Sequence, residues 1–196
     1  GYYLNPKIYL TEEETKVGYV SIKKSVSLMA AFHTGRTNWS GRNLPVEKFK
    51  KAAEWLIEKG WDIVEVGDKA TEPLGVESLN LCGKLNVRET AAVMSLCHLF
   101  VGIDSSPWHI AQCFDIPSVV TFGMIDPATR IYPKNKKCYP VQSKKVKCLG
   151  CHHEQIPPVL YSQCPRDARA EYAPCMRAIK AEDIIEKIEE AIKGMD

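Results

Sequence analysis

Residues 99–111 read Leu-Phe-Val-Gly-Ile-Asp-Ser-Ser-Pro-Trp-His-Ile-Ala. The apolar run ends at Asp104 and apolar residues then recur at helical spacing, which predicts a buried strand, a tight turn and a helix. Ser105 or Ser106 suits the N-cap of that helix. Pro107 suits its first position, because an N–H there has no intrahelical partner. The turn therefore presents free backbone N–H groups, two hydroxyls and the positive end of a helix.

A turn of this kind at the carboxyl end of a parallel strand is suited to binding an anion. Asp104 precedes the turn and His109 follows it within the first helical turn. Serine caps are common, so the alternative is an ordinary strand-to-helix turn whose serines only cap the helix. For His109 the alternative is a packed histidine on the inner face of the helix.

Strand and helix patterns alternate on both sides of this turn. The predicted strands are residues 27–33, 61–66, 79–82, 99–103, 116–122 and 137–142, and the predicted helices include residues 11–23, 45–59 and 88–98 and one opened by Asp126 and Pro127. This alternation implies right-handed crossovers and a parallel sheet covered on both faces. The predicted fold is α/β, a doubly wound, Rossmann-like parallel sheet that binds ligands beyond the carboxyl ends of its strands.

Composition and charge exclude several classes of protein. With 196 residues, 45% of them hydrophobic and 26% charged, the chain fits one large domain or a domain plus an appendage. A net charge of +2 and an interrupted basic patch at 134–147 do not indicate a nucleic-acid partner. The sequence has no apolar run of about 18 residues and no signal pattern, so we expect no transmembrane segment and a cytoplasmic protein. It also lacks the glycine motifs of nicotinamide, flavin and P-loop sites.

The connection at residues 33–45 is long for an α/β fold and carries Arg36 and Arg42. Long loops at strand ends usually carry function, which favours a role for these two arginines in binding an anion. The alternative is that both are solvated loop charges.

The eight cysteines fall into two groups. Those inside apolar patterns or opening a late strand are expected to act as small buried hydrophobes; they are Cys82, Cys97, Cys113 and Cys138. The other four crowd into the last third of the chain as Cys148, Cys151, Cys164 and Cys175.

A Cys-x-x-Cys pair with two later cysteines predicts one structural metal ion held by four thiolates, and either zinc or iron suits such a site. The alternatives are four unligated thiols or a pair of disulfides, and a reducing compartment disfavours the disulfides. His152 and His153 are reserve ligands that we do not expect to bind.

Residues 100–111 resemble the Asp-Ser-Gly-x-x-His-Leu-Ala signature of the family 9 glycosyltransferases, the ADP-heptose:lipopolysaccharide heptosyltransferases and their relatives. Other parts are also similar to the family: residues 81–85, residues 117–127, and residues 42–49, which resemble Lys-x-Trp-Pro-x-x-x-Phe. The cysteine pattern of the tail is found in many members. The sequence departs from the family in two places, with Ser106 in place of a glycine and Arg42 in place of a lysine.

The resemblance implies the carboxyl-terminal, donor-binding half of a GT-B glycosyltransferase. Its partner would be a nucleotide-sugar donor, ADP-heptose or another nucleotide-activated sugar. The family places the acceptor, a glycan, lipid or protein, and the acidic base on an amino-terminal domain that this sequence lacks, so no catalytic base is assigned. Arg42 keeps the charge of the family's lysine and adds bidentate geometry. Glu72 stands where the family has a donor-binding acid, its alternative being an exposed loop glutamate.

We therefore expect residues 1–145 to form a Rossmann-like nucleotide-sugar-binding domain, with the first ten residues or so as a lead-in. Residues 146–178 should hold the metal, and residues 179–196 should form a helix that packs back on the domain. The expected function is donor binding for inverting glycosyl transfer in lipopolysaccharide biosynthesis. The predicted donor-binding residues are Arg42, Glu72, Asp104, Ser105, Ser106 and His109. The alternatives are a non-catalytic nucleotide- or sugar-binding module and a nucleotide-sugar epimerase of the same architecture.

Overall fold

The structure, a computed structural model, describes residues 6–22, 27–35, 39–133, 135–143, 145–151, 164 and 166–195. Across these residues six strands form one sheet in the order β3-β2-β1-β4-β5-β6, and every neighbouring pair is parallel. The strands are β1 (Met29–His33), β2 (Asp62–Glu65), β3 (Leu79–Asn80), β4 (Leu99–Ile103), β5 (Ser118–Thr121) and β6 (Cys138–Val141). The strand order reverses between β1 and β4, so the predicted doubly wound parallel sheet is confirmed.

The helices of the described residues are α1 (Glu12–Ser21), α2 (Val46–Glu58), α3 (Val87–Met94), α4 (Ser106–Cys113), α5 (Pro174–Arg177) and α6 (Ala181–Lys193), with one 3₁₀ turn at Pro127–Thr129. Of these, α2, α3, α4 and the 3₁₀ turn connect strands, whereas α1 precedes β1 and α5 and α6 follow β6. The predicted cap at Thr11 is confirmed. Its hydroxyl accepts from the Glu14 N–H at 3.2 Å, and the Glu14 carboxylate accepts from the Thr11 N–H at 2.8 Å. This reciprocal pair fixes the start of α1.

The two faces of the sheet carry two separate hydrophobic cores. Side chains alternate along the strands, so Phe32 and Val101 pack with α2 and α6, whereas Phe100 and Val120 pack with α3 and α4 on the opposite face. The central strands β1, β4 and β5 are buried along their whole length. The carboxyl edge of the sheet is therefore a rigid base for the loops that leave it.

Several predicted boundaries were wrong by a few residues. Pro107 is the second helical residue of α4, because the helix already begins at Ser106. The helix predicted after Asp126 is only the 3₁₀ turn, which Asp126 caps by accepting from the Ala128 N–H at 2.9 Å. The helix predicted over 88–98 ends at Met94, because the chain then turns tightly into β4.

The carboxyl-terminal helix α6 packs against α2, β5 and β6 and buries Ile184 and Ile188. Lys48 on α2 adds a polar link, since its ammonium donates to the backbone carbonyls of Arg177 at 2.7 Å and Met176 at 3.3 Å, at the end of α5. The predicted domain boundaries stay predictions. None of the described helices is both long and apolar enough to cross a membrane.

Candidate functional site

A cleft of about 510 Å³ opens at the carboxyl edge of the sheet, beyond β1, β2 and β4. Its polar lining includes His33, Arg42, Asp68, Thr71, Asp104, Ser105 and Ser106. The apolar part is contributed mainly by the segment that leads into α3 and by α4. A cleft that combines an apolar wall with a few convergent polar groups is the usual form of a small-molecule site.

The turn from β4 into α4 forms one wall of this cleft. Ser105 is the N-cap residue, as predicted, with extended φ of −159° and ψ of 171°. Its hydroxyl does not cap the helix; it donates back to the carbonyl of Ile103 at 3.1 Å. The Ser105 hydroxyl therefore accepts from none of the backbone N–H groups in the first turn of α4. These N–H groups are the ones that a bound anion would use.

Asp104 lies beneath this turn with only 5% of its side chain exposed. Its carboxylate lies 3.3 Å from Nη2 of Arg42, 3.8 Å from Nε2 of His109 and 4.0 Å from Nε of Arg130. The structure thus brings together three predicted site residues and one arginine that sequence reasoning missed. Arg130 follows the 3₁₀ turn after β5, and it reaches Asp104 because β4 and β5 are neighbours whose carboxyl-end loops meet, which no local sequence pattern shows.

Arg42 is held against both the loop and the site. Its guanidinium carbon lies 4.4 Å from the centre of the Trp39 ring, and its backbone N–H donates to the Trp39 carbonyl at 2.9 Å. Burial lowers the pKa of Arg42 below its ordinary value, and the nearby Asp104 opposes that shift. Arginine remains charged under such conditions, so this cation faces the cleft with its position already fixed.

Two hydrogen bonds indicate the tautomer of His109. The side-chain oxygen of Gln112 accepts from the Asn135 amide at 3.1 Å, so the Gln112 nitrogen is the group that faces Nδ1 of His109 at 3.3 Å. Nδ1 then accepts, and Nε2 carries the proton towards Asp104. Burial lowers the pKa of His109, which favours the neutral ring, and Asp104 opposes that shift.

His33, at the end of β1, is a second cleft residue that sequence reasoning passed over. It is 8% exposed, and its Nδ1 lies 2.8 Å from the carbonyl of Val66 at the end of β2. Because a carbonyl only accepts, Nδ1 carries the proton and Nε2 is left as an acceptor. Burial lowers the pKa of His33, which keeps the ring neutral.

Glu72, unlike Arg42, Asp104 and the two serines, lies outside the cleft, and among the described residues His109 also contributes no part of its lining. The backbone carbonyl of Glu72 accepts from the Thr34 hydroxyl at 2.6 Å. Asp68 and Thr71 line the cleft from the same loop. Only glycine fits at position 67 of this loop, because its φ is +152° and a Cβ there would lie 2.2 Å from the Thr71 hydroxyl.

Arg36, the other arginine predicted to bind an anion, lies outside the described residues.

The segments that carry the late cysteines approach the end of β5, where the N–H of Gly150 donates to the carbonyl of Gly123 at 3.1 Å. The N–H of Cys164 donates to the Ser40 hydroxyl at 3.2 Å, and a Cβ on Gly123 would lie 2.7 Å from the sulfur of Cys175. Burial raises the pKa of Cys175 to about 11, and the thiols of Cys164, Cys151 and Cys148 add to that rise. No disulfide joins any of these cysteines.

As the described side chains stand, no three histidine, cysteine or acidic groups are arranged to hold a metal ion. His152 and His153, the predicted reserve ligands, lie outside the described residues.

Comparison with known proteins gives a consistent result. Residues 9–157 match the model of glycosyltransferase family 9 (heptosyltransferase). Lipooligosaccharide heptosyltransferase 2 of Haemophilus influenzae is 26% identical over 140 residues, which are 62% of this chain and 40% of that protein. The chain therefore spans less than half the length of this curated relative.

Solved structures share the fold. A family 9 glycosyltransferase of Veillonella parvula matches 96% of this chain and 54% of its own, with a TM-score of 0.72 and 19% identity. The dodecameric iron-containing heptosyltransferase TibC of enterotoxigenic Escherichia coli, solved with ADP-D-β-D-heptose, matches 87% of this chain and 47% of its own. Its TM-score is 0.70, and 17% of residues are identical.

Proposed function

This chain belongs to glycosyltransferase family 9, and from that premise we propose that its cleft binds a nucleotide-activated sugar, ADP-heptose, as the donor for inverting glycosyl transfer. The chain is then the donor-binding half of an enzyme. The acceptor and the catalytic base belong to a second domain, which is consistent with the greater length of the relatives. The predicted cytoplasmic location stays a prediction.

One observation carries the proposal: Arg42 and the amino-terminal turn of α4 face the same cleft at the carboxyl edge of the sheet. When the bond between the sugar and the diphosphate breaks, negative charge develops on the departing phosphate. A fixed guanidinium and unpaired backbone N–H groups stabilise that charge without having to reorganise. Asp104, Ser105 and Ser106 line the same cleft, and His109 lies behind them with its Nε2 3.8 Å from Asp104. Glu72 stays a predicted contact of the ribose from the neighbouring loop.

Titration calorimetry of this chain with ADP, ADP-heptose, UDP and GDP tests the proposal. We expect ADP-heptose and ADP to bind, and UDP and GDP to bind more weakly. A structure with ADP bound should show phosphate oxygens within about 3 Å of the backbone N–H groups of Ser105 and Ser106. Binding of none of these ligands, or binding away from this turn, contradicts the proposal.

Replacement of Arg42 tests the phosphate contact directly. A charged hydrogen bond contributes about 1.5–3 kcal/mol, so Arg42→Ala should weaken ADP binding about tenfold or more. Lys51→Ala removes an exposed cation from α2 and serves as the matched control, because Lys51 is not part of the cleft lining. Equal affinities of wild type and Arg42→Ala would show that Arg42 does not contact the phosphates.

We also propose that Cys148, Cys151, Cys164 and Cys175 hold one structural zinc or iron ion. The support is the convergence of their segments on Gly123 and Ser40 and the mutual effect of the thiols on Cys175. A four-thiolate ion supplies no chemistry to the cleft; it ties the cysteine segment to the end of β5. The donor set fits either metal, and closing it requires side-chain movement from the positions described above.

Elemental analysis of protein purified without added metal tests this second proposal. We expect about one zinc or iron per chain, lost in Cys151→Ser together with cooperative thermal unfolding. Cys113→Ser is the control, because Cys113 lies on α4 outside the cysteine cluster. A metal-free wild type that unfolds cooperatively at the same temperature under reducing conditions contradicts the proposal.

A further inference from the structure

Two arginines from distant parts of the chain share one buried carboxylate. Arg42 follows β1, Arg130 follows β5, and Asp104 ends β4 between them. The distances to the Oδ2 atom of Asp104 are 3.3 Å from Nη2 of Arg42 and 4.0 Å from Nε of Arg130. The second distance is longer than a hydrogen bond, so Asp104 attracts Arg130 without binding it directly.

The charges of this cluster do not balance. Two guanidinium groups face one carboxylate, and His109 on the fourth side is neutral by the hydrogen bonds described above. The cluster therefore carries one net positive charge next to Asp104, whose side chain is only 5% exposed. The side chains of Arg42 and Arg130 are 23% and 37% exposed, so this excess positive charge is accessible to an anion from solvent.

Unused hydrogen-bonding atoms point to the same conclusion. Within the described part of the chain, Nε of Arg42, Nε of Arg130 and Oδ2 of Asp104 are all buried and have no hydrogen-bond partner. Buried polar groups in folded proteins are nearly always satisfied, so three such atoms in one cluster call for an explanation. A multivalent anion would accept from the two Nε–H donors, and a small turn of the Arg42 guanidinium, whose Nη2 is 3.3 Å away, would give Oδ2 of Asp104 its donor.

The backbone that carries Arg130 is firmly built. Asp126 caps the 3₁₀ turn, the Thr129 hydroxyl donates to the Asp126 carbonyl at 2.7 Å, and the Arg130 N–H donates to the Pro127 carbonyl at 2.9 Å. Pro127 itself is buried. The side chain of Arg130 is 37% exposed, so its remaining nitrogens are accessible to a ligand while its backbone is fixed.

We propose that Arg130 is a second phosphate-binding arginine, which together with Arg42 makes this site selective for a diphosphate over a monophosphate. The proposal rests on the proposed function for the identity of the natural ligand. The anion site itself depends only on the two arginines and Asp104. A diphosphate carries more negative charge than a monophosphate and presents oxygens on two phosphorus atoms, so each guanidinium group can form a bidentate pair of its own.

Calorimetry with ADP, AMP and inorganic pyrophosphate tests the role of Arg130. Arg130→Gln should weaken the binding of ADP and of pyrophosphate about tenfold and leave AMP binding nearly unchanged, so that the preference for ADP over AMP falls by the same factor. Arg130→Lys should recover part of the loss. Lys136→Gln removes an exposed cation from the same connection between β5 and β6 and should change none of the three affinities.

Nuclear magnetic resonance of the wild-type chain provides a readout that does not depend on the folding of a variant. Pyrophosphate should shift the Nε–H resonances of Arg42 and Arg130 together, with one dissociation constant. If ADP binds and Arg130→Gln binds it equally well, Arg130 is not part of the site. If pyrophosphate binds through both arginines and no nucleotide or nucleotide sugar does, the proposed function fails and the two-arginine site stands. If ADP binds and pyrophosphate does not, the two-arginine site is overturned and the proposed function stands; if neither binds, both are overturned.

Discussion

At the scale of single residues, His33 shows how a neighbour settles the chemistry of a side chain. The carbonyl of Val66 takes the Nδ1 proton, and burial disfavours the charged ring. The neutral His33 ring, with Nε2 left as an acceptor, therefore lines the same cleft as the charged Arg42.

This arrangement predicts a pH dependence of stability. The unfolded chain protonates His33 near pH 6.5, whereas the folded chain does so only at lower pH. Between these two values the unfolded state binds more protons, so the free energy of unfolding should fall as the pH drops below about 6.5. His33→Asn keeps a donor for Val66 and does not titrate, and urea unfolding at pH 7.5, 6.5 and 5.5 should show a smaller fall for this variant.

His109 serves as the comparison for that measurement. Burial shifts its pKa in the same direction, but 38% of its side chain is exposed, so His109→Gln should change the pH dependence less than His33→Asn does. Identical pH profiles for wild type and His33→Asn would show that His33 titrates normally in the folded protein.

At the scale of elements, the sequence predicted the features that depend only on residues close together in the chain. The apolar runs of β1, β4 and β5 and the cap of α1 were predictable because side-chain period and capping chemistry lie within a few residues. The Asp104–Ser106 turn was predictable for the same reason. The ends of α3 and of the 3₁₀ turn were not, because they depend on where the next strand must enter the sheet.

The proximity of Arg130 and Arg42 also could not be predicted from a local sequence pattern. Eighty-odd residues separate them in the sequence, and their meeting depends on β1, β4 and β5 lying side by side. Glu72 illustrates the opposite case: the motif placed it in the right loop, but the turn at Gly67 directs Asp68 and Thr71 into the cleft instead. Strand order, rather than residue type, decides which loops share a site.

The contact between α1 and α3 gives a test in which two physical effects oppose each other. Alanine is a better helix former than glycine by about 1 kcal/mol, which alone would make Gly18→Ala stabilising. A Cβ on Gly18 would, however, lie 2.8 Å from the backbone carbonyl oxygen of Ala92 on α3. Two ion-paired hydrogen bonds of 2.7 Å between Arg88 and Glu14 hold the helices together, so they cannot separate freely.

We therefore expect Gly18→Ala to be destabilising, by about 1–3 kcal/mol as for other overpacked contacts. Urea unfolding provides the measurement. Val20→Ala on the same helix is the control: Val20 is 76% exposed, so its replacement should be neutral or slightly stabilising. A gain in stability for Gly18→Ala would mean that propensity outweighs the close approach of the two helices.

At the scale of the whole molecule, the two hydrophobic cores lie on opposite faces of one sheet. Trp61 belongs to the core beneath α2 and α6, and Trp108 belongs to the core beneath α3 and α4. Each central strand contributes alternate side chains to both cores, so neither face can lose its packing while the strands stay in register. The chain should therefore unfold as one cooperative unit, although its cores do not touch.

A substitution on one face, read by a reporter on each face, tests this cooperativity. Ile188 of α6 is fully buried, and Ile188→Ala should cost about 2–5 kcal/mol. In two single-tryptophan backgrounds, one keeping Trp61 and one keeping Trp108, the urea midpoint should fall by the same amount, about 1 M or more. Glu189→Ala, at an exposed position of the same helix, should move neither midpoint. If Ile188→Ala shifted only the Trp61 signal, the two faces would be independent folding units, and the cleft beside α4 would not depend on the packing of α6.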